Sequence, residues 1–281
     1  MLMACTVGYG GMIKRVPIRT SCGTFSVFTK RSGSHPRRRV LLLHGGPGAT
    51  HEYLEPLEDL RAELIFHEQL GSAHSDQPDD DRLWTMERFV DEVEQVRLAH
   101  ELDDFVLYGH SWGAILALEY ALAHGSRLKG LVLSNMIASI ADHNRIMQEL
   151  IDAIGLPNDH PEVVSQVFAK HMCRLSDWPV PLNRSFSAIN PRLSKLLRGD
   201  SPLFVGGRLA TWDRKADLHR LTMPTLVIAA RYDAGPDQLR SMAEAIPNGS
   251  FALCPNGSHV CMWDDREAYL QHLQEFLDRF D

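Results

Sequence analysis

A serine framed by two glycines, Gly109-His110-Ser111-Trp112-Gly113, follows the apolar run Phe105 to Tyr108. It opens a helical pattern in which Ile115, Leu116, Leu118, Ala121 and Leu122 share one face. A strand that turns sharply into a helix lifts a hydroxyl above the end of a sheet, and the flanking glycines leave room where a Cβ would strike the neighbouring chain. Such a serine performs nucleophilic acyl transfer, which needs a base to take its proton and an acid to orient that base. The turn predicts both partners later in the chain, acid before base, each on a loop after a strand. Asp233 follows the run Thr225 to Ala230, and His259 follows Phe251 to Leu253 in Asn256-Gly257-Ser258-His259. With fourteen histidines in the chain, position and not residue type singles out His259. Asp237 competes with Asp233, but it falls on the first turn of a helical pattern, where the helix dipole favours a surface carboxylate.

His44-Gly45-Gly46-Pro47-Gly48, directly after Val40 to Leu43, supplies the remaining part. The N–H of Gly45 or Gly46, with that of Trp112, can meet the negative charge that develops on an attacked carbonyl. No Lys-Ser/Thr follows these glycines, as a phosphate loop requires. Neither His-Glu-x-x-His nor clustered cysteines occur, so no metal and no cofactor is expected.

Positioning these residues requires a scaffold, and the hydrophobic pattern describes one. Val16 to Thr20 and Thr24 to Thr29 flank Ser21-Cys22-Gly23 as a hairpin. Strands at Val40 to Leu43, Leu64 to Phe66, Phe105 to Tyr108, Leu131 to Leu133, Thr225 to Ala230 and Phe251 to Leu253 then alternate with helices. One helix carries Phe89, Val93, Val96 and Ala99 on a face; the last carries Tyr269, Leu273, Phe276 and Phe280. The fold class is α/β, with a mainly parallel sheet, helices on both faces and an antiparallel entry. The alternation stops between residues 136 and 211, where Pro157, Pro161, Pro179, Pro181 and Pro191 interrupt helical pieces at Ile146 to Ile154 and Pro161 to Met172. The chain therefore divides into a core, 1–135 and 212–281, and a helical cap, 136–211. Residues 1–13 read as a loose N-terminal extension. A cap inserted there covers the carboxyl ends of the strands, where open α/β sheets bind ligands.

Composition narrows the partners. The 281 residues are 44% hydrophobic and 23% charged, enough apolar material for a sizeable core. Lys and Arg number 29 against 36 Asp and Glu, a net charge of −7 that argues against a nucleic-acid partner. Five scattered cysteines without Cys-x-x-Cys spacing indicate reduced thiols and a cytoplasmic setting. No run approaches the ~18 apolar residues of a membrane span, and Met1 to Ile13 lacks the basic start of a signal peptide.

Together His44-Gly45-Gly46-Pro47-Gly48, Gly109-His110-Ser111-Trp112-Gly113, Trp212-Asp213-Arg214, Tyr232-Asp233 and Gly257-Ser258-His259 resemble the proline iminopeptidase family of α/β hydrolases, which includes L-amino-acid amidases. The similarity runs from about Ser21 to the end. It implies a metal-free serine hydrolase that removes an N-terminal residue from a small peptide, amide or arylamide, with Ser111 as nucleophile, Asp233 as acid and His259 as base. Two departures stand out. Glu68 and Ala73 replace the Asp and the second Gly of the family's Asp-Gln-x-Gly-x-Gly-x-Ser loop. In the cap, Gly199-Asp200-Ser201-Pro202-Leu203 puts Pro202 where relatives carry a glutamate that helps hold the substrate's ammonium. Asp200 is then a candidate replacement anchor, and His44, Trp178, Pro202 and Tyr232 join it as candidate substrate contacts. Three readings follow: an aminopeptidase or amidase, an esterase, lactonase or acylated-substrate hydrolase that lost the amine anchor, and a ligand-binding protein on a hydrolase fold.

Overall fold

A computed structural model describes residues 11–281. Its strands are β1 (Met12–Thr20), β2 (Gly23–Ser32), β3 (Arg39–Leu43), β4 (Glu63–Glu68), β5 (Phe105–His110), β6 (Leu128–Ser134), β7 (Thr225–Ala230) and β8 (Gly249–Cys254). They form one sheet in the order β1-β2-β4-β3-β5-β6-β7-β8. The β1/β2 and β2/β4 pairs are antiparallel and the remaining pairs parallel. Every residue of β5 is buried, so this central strand is covered on both faces. Edge strand β1 instead buries Val16 and Ile18 between exposed Arg15, Pro17 and Arg19, the period-2 pattern of a half-covered strand.

The core helices are α1 (Met86–Ala99) and α2 (Trp112–His124), and the inserted ones are α3 (Ile140–Asp152), α4 (Val163–Val167), α5 (Val180–Ser187) and α6 (Pro191–Arg198). The chain closes with α7 (Pro236–Glu244), α8 (Cys261–Asp264) and α9 (Arg266–Leu277). Alternate strand residues feed two cores. Leu41, Leu107, Leu131 and Val227 pack with Val93 of α1, Leu116 of α2 and Leu239 of α7. Leu42, Tyr108, Val132 and Ile228 pack with Tyr269 and Phe276 of α9.

Among the described residues, the stretch between β6 and β7 contributes helices and no strand of the sheet. Its two ends meet: the Arg214 N–H donates to the Ala138 carbonyl at 2.8 Å, and the Ile140 N–H to the Trp212 carbonyl at 3.0 Å. Glu119 of α2 then accepts both the Trp212 indole at 2.7 Å and a two-pronged Arg214 guanidinium at 2.6 and 3.1 Å. That fork explains the Trp212-Asp213-Arg214 triplet, which ties the returning chain to the helix that begins at Ser111. One boundary moves: Met12 and Ile13, expected in a loose extension, pair with Arg31 and Lys30 in β1, while residues 1–10 lie outside the described range. No helix among the described residues is long and apolar enough to cross a membrane.

Candidate active site

Ser111 sits between β5 and α2 with φ 56° and ψ −124°, in the left-handed region that a serine occupies only under strain. Its N–H donates to the Ser134 carbonyl at 3.0 Å, and its carbonyl accepts from the Ala114 N–H at 2.8 Å. The two flanking glycines are dictated by close approach. A Cβ on Gly109 would lie 2.0 Å from the Gly113 carbonyl oxygen, and one on Gly113 2.1 Å from that of Leu43.

Asp233 and His259 leave β7 and β8 at the same end of the sheet. His259 Nδ1 lies 3.1 Å from each carboxylate oxygen of Asp233. Two further donors fill that carboxylate: Asn135 Nδ2 at 2.9 Å and the Ala234 N–H at 2.7 Å. Burial would raise the Asp233 pKa, but the His259 imidazole and these hydrogen bonds outweigh it and hold the carboxyl below its ordinary range. Asn135 is buried at the end of β6 with φ 56°. The loop of His259 is held from the inserted segment, where a π-helical turn, Phe168–Met172, follows α4. The His259 N–H donates to the His171 carbonyl at 2.9 Å and the Val260 N–H to that of Met172 at 3.1 Å. Ser111, Asp233 and His259 line one cleft.

The glycine loop is braced by two neutral histidines. His44 donates from Nδ1 to the Gly45 carbonyl at 2.8 Å and accepts at Nε2 from the Gln69 N–H at 3.2 Å. It is fully buried, does not line the cleft, and burial pushes its pKa down to about 4. The Gly45 N–H donates to the Tyr53 hydroxyl at 2.7 Å; that hydroxyl lies 2.9 Å from His110 Nδ1, and His110 Nε2 lies 2.8 Å from the His259 carbonyl. One proton order satisfies the chain: Tyr53 donates to Nδ1 and Nε2–H donates to His259. Burial, reinforced by His259, lowers the His110 pKa to about 3. Gly45 is therefore spent on Tyr53. The N–H groups of Gly46 and Trp112 have no hydrogen-bond partner among the described residues, and both residues line the cleft.

Of the expected substrate contacts, Pro202 lines the cleft. Asp200 does not: its exposed carboxylate pairs with Lys195 of α6 at 2.8 Å. Trp178 stands behind the wall, stacked on Phe168 with centroids 6.3 Å apart and edge-on to Phe186 at 5.5 Å. Tyr232 lies under the Arg174 guanidinium, 3.6 Å from its ring centre, and its carbonyl accepts from His171 Nδ1 at 2.6 Å. Both are supports for cleft residues. The sequence reading passed over Tyr53, Asn135, His143 and Arg198. His110 belongs to the Gly109–Gly113 segment and Arg198 immediately precedes Gly199, but only folding brings them to the site. His143 lines the cleft from α3, and burial lowers its pKa to about 4.

Glu68 keeps the loop after β4 in place despite the extra methylene. Its carboxylate accepts from the N–H and Nδ1 of His51 at 3.1 and 2.6 Å and from the N–H and Nδ1 of His74, both at 3.0 Å. Burial opposes its charge, but these bonds prevail and depress its pKa. His51, Glu68 and His74 are close enough to hold a cation, yet the carboxylate is already filled by four donors.

The buried histidines set an acid limit to stability. Below about pH 6.5 the unfolded chain takes up protons at residues 44, 110 and 143, whereas the folded chain leaves them neutral down to about 4, 3 and 4. The unfolded state binds more protons there, so stability falls as the pH is lowered, by on the order of 3 kcal/mol for each fully shifted site. The urea midpoint should drop steeply between about pH 7 and about pH 4.5; equal midpoints would contradict the neutral histidines.

Comparison with known proteins identifies the family to which this fold belongs. Residues 38–265 match the family model of the alpha/beta hydrolase fold. A proline iminopeptidase of Flavobacterium johnsoniae is 41% identical over 94% of this chain and 97% of its own length. One from Elizabethkingia meningoseptica is 42% identical over 95% and 98%. The crystal structure of a Mycobacterium smegmatis proline iminopeptidase superposes with a TM-score of 0.87 over 95% of this chain and 98% of that one; at 23% identity it speaks to the fold alone. The chain therefore belongs to the α/β-hydrolase fold family and, within it, to the proline iminopeptidase family.

Proposed function

We propose that this protein is a serine hydrolase that cleaves an N-terminal aminoacyl amide or peptide bond through an acyl-enzyme, without a metal ion. The observation that carries the reading is Ser111 on its strained turn sharing one cleft with the paired Asp233 and His259 and with two unspent N–H groups. Ser111 Oγ attacks the carbonyl carbon while His259 Nε2 takes its proton; Asp233 fixes the opposite ring nitrogen and stabilises the imidazolium. The N–H groups of Gly46 and Trp112 receive the oxyanion. His259 returns the proton to the leaving amine, and water then attacks the acyl-enzyme by the same route. The names of the 41–42% identical relatives support a small peptide or amide as substrate, possession of an N-terminal residue included. The inserted helices, 136–211, act as the cap, and the reduced cysteines fit a cytoplasmic location.

A specific observation favours a second reading, an esterase or acylated-substrate hydrolase. Asp233 is the one carboxylate among the cleft-lining residues, and its oxygens are already taken. An ammonium brought into the cleft finds no free acid, and Asp200 lies outside. A panel of chromogenic anilides and esters, each with a free or an acylated amine, separates the two. Faster turnover of free-amine anilides supports the aminopeptidase; faster turnover of acylated or amine-free esters replaces it. Asp233→Asn should lower kcat by about 10⁴ on either class, because the imidazole then holds the wrong tautomer. Chelators should leave the rate unchanged; a loss reversed by zinc would point to a metallohydrolase.

A further inference from the structure

Arg198 ends α6 and lines the cleft beside Pro202, Leu203 and His143. It has no acidic partner among the described residues, and residues 1–10 contain no acidic side chain. Nearby cations are matched: Lys195 pairs with Asp200, and Arg192 with Asp81. Arg198 makes one long hydrogen bond, from Nη2 to the Pro202 carbonyl at 3.4 Å. A cation at a helix C-terminus gains from the helix dipole, which accounts for its place but leaves most of five donors unspent. Burial lowers the guanidinium pKa, with no carboxylate opposing the shift. His143, which lines the same cleft, is held neutral chiefly by burial, with His259 and Arg198 adding to the shift against the pull of Asp233. The only carboxylate in the lining, Asp233, is committed to His259, Asn135 and Ala234.

We propose that Arg198 is the receptor for a carboxylate carried by the substrate. The cleft then holds its substrate by charge of the opposite sign to that of an ammonium-binding site, through a guanidinium that contacts the Pro202 carbonyl. A planar, five-donor fork suits a carboxylate better than a point cation would. The carboxylate can belong to the acyl chain or to the free C-terminus of a short peptide. The inference rests on this cleft being the active site.

Two matched pairs distinguish the sources: glutaryl against butyryl p-nitrophenyl ester, and prolyl-alanine against prolyl-alaninamide. Charge-assisted hydrogen bonds of this kind correspond to roughly 10- to 100-fold in kcat/KM. Wild type should favour the anionic member of one pair by at least about tenfold; the pair that responds names the source. Arg198→Gln should erase that ratio and Arg198→Lys restore part of it. Free glutarate should inhibit butyryl ester hydrolysis competitively, and glutaramide should not, a test that needs no variant. No preference in either pair, no inhibition by glutarate, or a preference that survives Arg198→Gln overturns the proposal. If butyryl ester is turned over and a fluorophosphonate labels Ser111, only the carboxylate receptor has failed; without labelling or turnover, the hydrolase reading itself has failed.

Discussion

Replacement of Ser111 by alanine should reduce kcat by about 10⁴ to 10⁶, because members of a nucleophile, base and acid unit act together and removing one forfeits nearly the whole covalent route. The fold should survive. Ser111 contributes its backbone to the turn, through the bonds to Ser134 and Ala114, and its side chain makes no hydrogen bond among the described residues. Alanine keeps a Cβ and so keeps the strain at φ 56°. A fluorophosphonate should label wild type at Ser111 and leave the variant unlabelled. Activity within tenfold of wild type, measured on a purified variant with an unchanged urea midpoint, would sink the nucleophile assignment.

Gly113→Ala should act in the opposite manner, through the fold first. Its Cβ would sit 2.1 Å from the Leu43 carbonyl oxygen and 2.8 Å from that of His44, both backbone atoms of the strand and loop that carry Gly45 and Gly46. Backbone cannot yield as a flexible side chain does, so α2 must lift from β3. We expect a loss on the order of 4 kcal/mol or more, at the severe end for single substitutions. Chemical denaturation of this variant against Ser111→Ala separates the two effects. A Gly113→Ala protein of wild-type stability would mean that α2 does not press on β3 as the structure has it.

The contrast between these positions shows where the sequence was informative. Gly109, Ser111 and Gly113 are legible because a strand-to-helix turn imposes residue types at fixed spacing, and the unbroken apolar runs of β3, β5 and β7 mark strands buried on both faces. That Asp233 and His259 come to one end of the sheet could be read because the turn fixes the order of such residues and the ends of β7 and β8 fix their side. Short-range pattern ends there. Tyr53, Asn135 and Arg198 reach the site from a 3₁₀ segment, a strand end and an inserted helix, and no local period records that meeting. Asp200 shows the converse. Its place between β6 and β7 suggested an anchor, but the turn after α6 points its carboxylate at Lys195, while Arg198 at the helix end and Pro202 face the cleft. Near neighbours in sequence here face opposite media.

The clasp between the π-helical turn and the His259 loop carries a consequence for remodelling the enzyme. The carbonyls of His171 and Met172 fasten the backbone of residues 259 and 260, while Asp233 steers the His259 ring. That turn is thus part of the mould in which the His259 ring is set. Trimming its backbone to admit bulkier molecules would loosen the imidazole along with the ceiling, and gains in access would arrive with losses in rate. Room is better won by shaving Phe186 or Met147, which border the same cleft from α5 and α3 and contribute no backbone bond to that loop.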